Sequence, residues 1–199
     1  DLEEAADARI VAEAPGGDLK YLFTHDLVRE AACDQVKTAR RMRMHAHIAG
    51  VLERLYQGHE IEHHLAELAR HFVAAERAGD PDKAIDYSVR AGRRSLEQLA
   101  YEEAARHFGA AVKVLESEDT LDPSRLCELL QNLGEAQKRA GQFASLETFQ
   151  RAFEVARTVG AGEQMALAAI AFEWLTWSIS KPDVNSVLLC KEALLALPA

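Results

Sequence analysis

The sequence predicts an all-α fold of stacked helix pairs, and three observations carry that prediction. Between Asp80 and Glu116 two amphipathic segments meet at a tight connection near Leu99 and Ala100. In the second of them Ala104, Phe108 and Ala111 fall at i, i+4 and i+7, so one stripe of the helix presents a small, an aromatic and a small side chain. The stripe recurs 41 residues on as Ser145, Phe149 and Ala152, and after a further 41 as Ser186, Cys190 and Ala193, with Val112, Phe153 and Leu194 apolar beside it. A fixed period of this size marks a solenoid, in which no helix pair covers its own apolar face and each stacks on the next. The small residues let two helices approach closely, and the aromatic fills the space between them.

The elements follow in order. Leu2 to about Ala8 reads as the end of a helix. Arg9–Ala14 alternates around Ile10 and Ala12, Pro15-Gly16-Gly17-Asp18 is a turn, and Leu19–Thr24 carries Tyr21 and Phe23 on one side; together they predict a β-hairpin, the only sheet expected. Asp26 is the expected cap of a helix with apolar positions Leu27, Val28, Ala31, Ala32 and Val36. Met44, Ile48, Val51, Leu52 and Leu55 form the stripe of the next helix, which ends near Gly58. A further helix runs from about Ile61 to Ala78 and stops at Gly79-Asp80-Pro81, which cannot easily continue a helix. Repeat helices are predicted over about 82–98, 101–117, 124–140, 143–159, 163–180 and 183–196, with Leu121-Asp122-Pro123 and Lys181-Pro182-Asp183 marking two breaks.

The chain's 199 residues, 48% hydrophobic and 28% charged, suffice for a continuous core. A net charge of −9 opposes the phosphate backbone of nucleic acids and anionic membrane surfaces, so direct binding of either is not expected. Cys33, Cys127 and Cys190 lie far apart without a CxxC, which fits reduced thiols in the cytoplasm better than a disulfide framework. Cys190, on the repeat stripe, is expected to be a small core residue. The acidic start Asp1-Leu2-Glu3-Glu4 does not resemble a secretory segment, and the longest apolar run, Met165–Phe172, is too short to span a bilayer. The chain lacks an initiator methionine, begins inside an amphipathic pattern and ends inside a repeat, as expected of a piece of something longer.

The repeating residues resemble tetratricopeptide repeats. One unit has Gly92, Tyr101, Ala104, Phe108 and Ala111; the next has Leu133-Gly134, Gly141-Gln142-Phe143, Ser145, Phe149 and Ala152; the third keeps the second-helix stripe alone. The period is longer than the family's, and Ser88 and Leu130 stand where a bulky residue is expected before the glycine. The resemblance implies a right-handed α-α superhelix of tetratricopeptide-like repeats with longer helices.

A second resemblance covers the N-terminal part. The hairpin followed by Phe23-Thr24-His25-Asp26-Leu27-Val28-Arg29-Glu30-Ala31 is similar to the end of the winged-helix region in large multidomain signalling ATPases, and Ala39-Arg40-Arg41 with His45–Leu52 to the connector after it. That family includes ATP-dependent LuxR-type transcription regulators and cyclase-linked ATPases, largely bacterial and cytoplasmic. The resemblance implies that residues 1–40 are the C-terminal part of a winged helix, 41–80 connector helices and 81–199 repeats. No glycine here is followed by lysine, so there is no GxxxxGK phosphate loop, and neither a LuxR-type DNA-reading segment nor a cyclase signature occurs. The implied role is therefore non-catalytic: sensing or interaction within a larger signalling protein.

Four groups of residues bear chemistry. His59-Glu60-Ile61-Glu62-His63 matches HExxH, which in a zinc hydrolase puts two ligands and a general base on one helix face. Gly58 precedes it, no third ligand follows at a protease spacing, and a chance match is the better reading; His63, Glu67 and His71, at i, i+4 and i+8, leave adventitious metal binding as a lesser one. Neither catalytic residues, a resident metal nor a cofactor is expected. The basic run Lys37, Arg40, Arg41, Arg43, His45 and His47 suits a phosphate of DNA or of a nucleotide but reads better as a solvated first turn or as partners of nearby acids. His25 and Arg29, one turn apart, are nucleotide-sensing candidates by resemblance to the ATPases, against a buried structural histidine. Trp174 and Trp177 suit a partner anchor, although core packing is the preferred reading.

By resemblance to peptide-binding repeats, the partner surface is the concave face made by the first helix of each pair: Asp86, Arg93 and Glu97, then Glu128, Gln131, Glu135 and Lys138. The mixed charges suit a polar peptide, a protein segment or the parent chain's own ATPase domain, with a small inducer as a further candidate. The alternatives are a stand-alone tetratricopeptide scaffold or co-chaperone and, remotely, a zinc-dependent hydrolase.

Overall fold

The computed structural model describes residues 2–13, 21–58, 60–179 and 184–197. The fold is mostly helical with a single two-stranded antiparallel hairpin among the described residues. At the N-terminus a short helix, α1 (Leu2–Asp7), leads into β1 (Val11–Glu13), which pairs with β2 (Tyr21–Phe23) in the register Val11↔Phe23, Ala12↔Leu22 and Glu13↔Tyr21. The Thr24 hydroxyl closes the hairpin by donating to the Arg9 carbonyl at 2.6 Å. The expected turn Pro15–Asp18 lies outside the described residues.

Helix α2 (Asp26–Asp34) departs from expectation twice. His25, not Asp26, is the N-cap, and it makes no side-chain capping bond; Asp26 sits in the first turn and accepts from Arg29 at 3.3 Å. None of α2's apolar positions is buried, and Leu27 is 80% exposed, because among the described residues no other helix packs extensively over that face.

Helix α3 (Thr38–Leu55) packs on α5 (Leu65–Ala75). The expected stripe is turned the wrong way: Met44, Ile48, Val51 and Leu55 are exposed, and α3 buries Ala49 against Leu65, Leu68, Ala69 and Phe72, with Leu52 beside them. The small residue lets α3 and α5 approach closely, so the contact selects alanine over the larger side chains. The single helix expected over 61–78 is divided into α4 (Glu60–His63), α5 and a 3₁₀ turn at Glu76–Ala78, with Glu76 in the left-handed region at φ 44°.

The remaining helices are α6 (Pro81–Glu97), α7 (Tyr101–Glu116), α8 (Pro123–Arg139), α9 (Ala144–Thr158), α10 (Gly162–Ile179) and α11 (Val184–Ala196). Two start as the sequence dictates, with proline in the first turn and an aspartate cap: Asp80 accepts from the Lys83 N–H at 3.2 Å, and Asp122 from the Ser124 and Arg125 N–H groups at 3.0 and 3.2 Å. The break expected at Lys181–Asp183 lies outside the described residues.

From α5 onward each helix packs on the next, and α5 on α7 and α8 on α10 more lightly. The stripes lie in these contacts: Ala104, Phe108, Ala111 and Val112, then Ser145, Phe149, Ala152 and Phe153, then Ser186 and Ala193 are all buried. Leu194 departs from the pattern at 68% exposed, and Cys190 is half-buried, its thiol donating to Glu173 Oε2 at 3.4 Å. Helices α3 and α6 are tied together by Glu53, which accepts from Lys83 at 2.7 Å and from the Tyr87 hydroxyl at 2.8 Å. Burial alone would raise the Glu53 carboxyl, but these two bonds hold it below the usual carboxylate range.

Candidate functional site

Helix α6 turns its Arg90, Arg93 and Arg94 toward the α4 turn, and with Glu62, Glu97 and Gln98 they line a cleft of about 490 Å³. Arg90 donates to Glu62 at 2.6 Å and to Asp86 at 3.4 Å. Arg94 donates to the Glu62 carbonyl and, at 3.1 Å, to His63 Nδ1, so no carboxylate neutralises it in this arrangement. Arg93 is exposed and has no ion-pair partner among the described residues. Arg93 and Arg94 enter no ion pair among the described residues, and although Glu97 lines the same cleft, two guanidinium groups side by side there can grip an anionic group.

The candidate residues on α8 form a second group. Gln131 Nε2 donates to the Gln164 carbonyl of α10 at 3.2 Å, and Glu135 is shared by Lys138 and, at 2.8 Å, Arg139. Burial pulls the Glu135 carboxyl up, but those two cations together hold it below the usual range. Lys138 lies over the Trp174 ring, 5.4 Å from its centroid. Arg93 and Glu97 thus share the α4–α6 cleft, Gln131, Glu135 and Lys138 face α10, and Asp86 and Glu128 stand exposed on their helices.

Sequence reasoning missed the cleft on the other side of the array. It measures about 1340 Å³ and runs along α7, floored by Ala105, Gly109 and Ala110 and walled by Arg77, Lys113 and Arg151 among others. The signal was present as small residues on the α7 face opposite Ala104, Phe108 and Ala111. Trp174 and Trp177 also correct an expectation: they are 59% and 64% exposed rather than packed in the core. Helix α10 buries Met165, Ala168, Ala169, Phe172 and Leu175 instead, and that face is opposite the tryptophans.

The histidines separate. His25 is exposed, not a buried structural residue, and Arg29 is engaged by Asp26. Of the basic run, Lys37, Arg40, Arg43 and His47 are exposed, but His45 turns inward, its Nδ1 3.0 Å from His71 Nδ1. Arg70 donates to His71 Nε2 at 2.7 Å. Burial, Arg70 and His45 depress the His71 pKa to about 4, and burial with Arg70 and Arg41 depresses that of His45. His71 is therefore committed to its neighbours and does not converge with His63 and Glu67. His59 lies outside the described residues, and no group of three metal-ligating side chains occurs among those described. Among them, too, no helix is long and apolar enough to cross a membrane. Comparison with family models, curated proteins and solved structures returned no match.

Proposed function

We propose that this chain is a non-catalytic interaction and sensor region of a multidomain signalling ATPase or transcription regulator, and that its repeats are tetratricopeptide-like and wind into a right-handed superhelix. The observation carrying the interaction role is the α4–α6 cleft, where Arg93 and Arg94 present cationic groups that enter no ion pair among the described residues. Its occupant is an acidic segment of a partner protein or of the parent's ATPase module, or an anionic inducer. The ATPase setting is supported by the Phe23–Ala31 stretch preceding the helical repeats.

Two measurements test it. The coding sequence upstream should contain a GxxxxGK phosphate loop, and its absence overturns the ATPase setting. The upstream module, expressed separately, should bind this chain with an affinity that falls as salt rises, and reversing Arg93 and Lys138 to Glu should weaken that binding without altering the circular dichroism. Unchanged binding by both reversals overturns the assignment of the first-helix face.

A further inference from the structure

We propose that the exposed apolar face of α10 receives helix α3 of a second copy of this chain, so that copies associate head to tail. The inference deepens the reading of the array as an interaction module.

The α10 face is a seam. Leu167, Ile170, Trp174 and Trp177 follow a 3–4–3 spacing and are each 59–64% exposed. The stacking of repeats does not require them. Matching the buried residues Leu126, Leu129 and Leu130 of α8 to Met165, Ala168 and Ala169 of α10 sets a spacing of 39 residues. In that register the seam replaces Glu128, Gln131, Glu135 and Lys138, so the face that is polar on α8 becomes aliphatic and aromatic on α10.

Helix α3 carries the complementary seam. Met44, Ile48, Val51 and Leu55 follow a 4–3–4 spacing and are 36–63% exposed. Their flanks are basic: Arg40, Arg43 and Arg54 are exposed, and none enters an ion pair among the described residues. The cation on this seam, Lys138 over the Trp174 ring, is paired with Glu135, and the exposed charges on α10 and α8 that enter no ion pair among the described residues are acidic, Glu163 in the first turn of α10 and Glu128 on α8. Pairing α10 with itself would set acid against acid, and pairing α3 with itself would set arginine against arginine; α3 on α10 opposes unlike charges. Each seam exposes on the order of several hundred Å², which places the contact at the small, weak end of specific interfaces. Because the two surfaces differ, the interface is heterologous and continues into an open chain or closes into a ring.

Sedimentation of the whole chain over a concentration series tests this. The wild type should show concentration-dependent association beyond a dimer, and Ile48→Glu and Ile170→Glu should each be monomeric with unchanged circular dichroism. Mixed together, the two variants should form a 1:1 dimer and nothing larger, since one retains its α10 seam and the other its α3 seam. The chain's two tryptophans both lie in the α10 seam, so mixing should also blue-shift the emission. Leu167→Ala provides a milder substitution that should weaken association about tenfold or less. A wild type that stays monomeric, a dimer that Ile48→Glu leaves intact, or variants that fail to complement would each overturn the proposal. None of these outcomes bears on the α4–α6 cleft, whose residues the variants leave untouched.

Discussion

Gly92 and Phe108 share one space: a Cβ on Gly92 would stand 2.8 Å from the Phe108 ring. Gly134 and Phe149 repeat the relationship at 2.8 Å. The aromatic fills the volume that the missing side chain vacates, and this lets α6 lie on α7 and α8 on α9. In the third pair Cys190 stands where the aromatic would be, and Glu173 faces it.

Gly92→Ala should therefore cost about 1–3 kcal/mol, because the buried ring has to shift. Phe108→Leu in the same chain should recover part of that loss, a coupling that urea denaturation of the double-mutant cycle would measure. Strict additivity would show that the two residues do not compete for space.

Ala111 and Ala152 are fully buried between helices. Ala111→Arg should cost on the order of 3 kcal/mol or more, since it overpacks the contact and buries a charge. Glu118→Arg, at an exposed position after α7, should cost almost nothing. An Ala111→Arg protein that melts like its parent would disprove the repeat register.

Ser88 is fully buried and its hydroxyl has no hydrogen-bond partner among the described residues. Ser88→Ala removes an unsatisfied group from α6 and should stabilise the protein by about 1 kcal/mol. In a chain of this size that corresponds to a melting temperature raised by roughly 2–4 °C.

The His45–His71–Arg70 cluster makes stability pH-dependent. His71 titrates near 4 in the fold against an ordinary 6.5, so the folded state favours the neutral ring. Its contribution is fully present above 6.5 and is lost as pH falls toward 4, by up to about 3 kcal/mol. Neutral His71 accepts from Arg70 and shares one proton with His45; protonation removes the acceptor and sets like charges together. Denaturation midpoints between pH 7 and 4 should fall for the wild type and flatten for His71→Gln. Equal slopes would place the acid sensitivity elsewhere.

Helix breaks were legible where chemistry is local. Asp80-Pro81 and Asp122-Pro123 mark starts that any globular context would respect, and the burial of Phe108 and Phe149 between helices follows from the repeat stripe, although their glycine partners do not. Orientation was not legible for α3 and α10. A helix apolar on two sides has no periodicity to say which side is core, and the larger residues draw the eye. The fold buries Ala49 on α3, and Ala168 and Ala169 on α10, where close approach matters more than side-chain size. The arginine cleft was legible only in part: Arg93 and Glu97 stood out as polar positions, but the α4 turn that completes it depends on a break at His64 that no proline or glycine announces.

Because each helix leans chiefly on those adjacent in sequence, the principal route from α3 to α11 runs through seven successive interfaces, with the light α5–α7 and α8–α10 contacts as the cross-links. Such a chain is a spring rather than a block. Small rotations at successive junctions of such a series would add, so a change at the Glu53 tie would reach the far end as their sum. A substitution that stiffens any junction shortens the travel of everything beyond it.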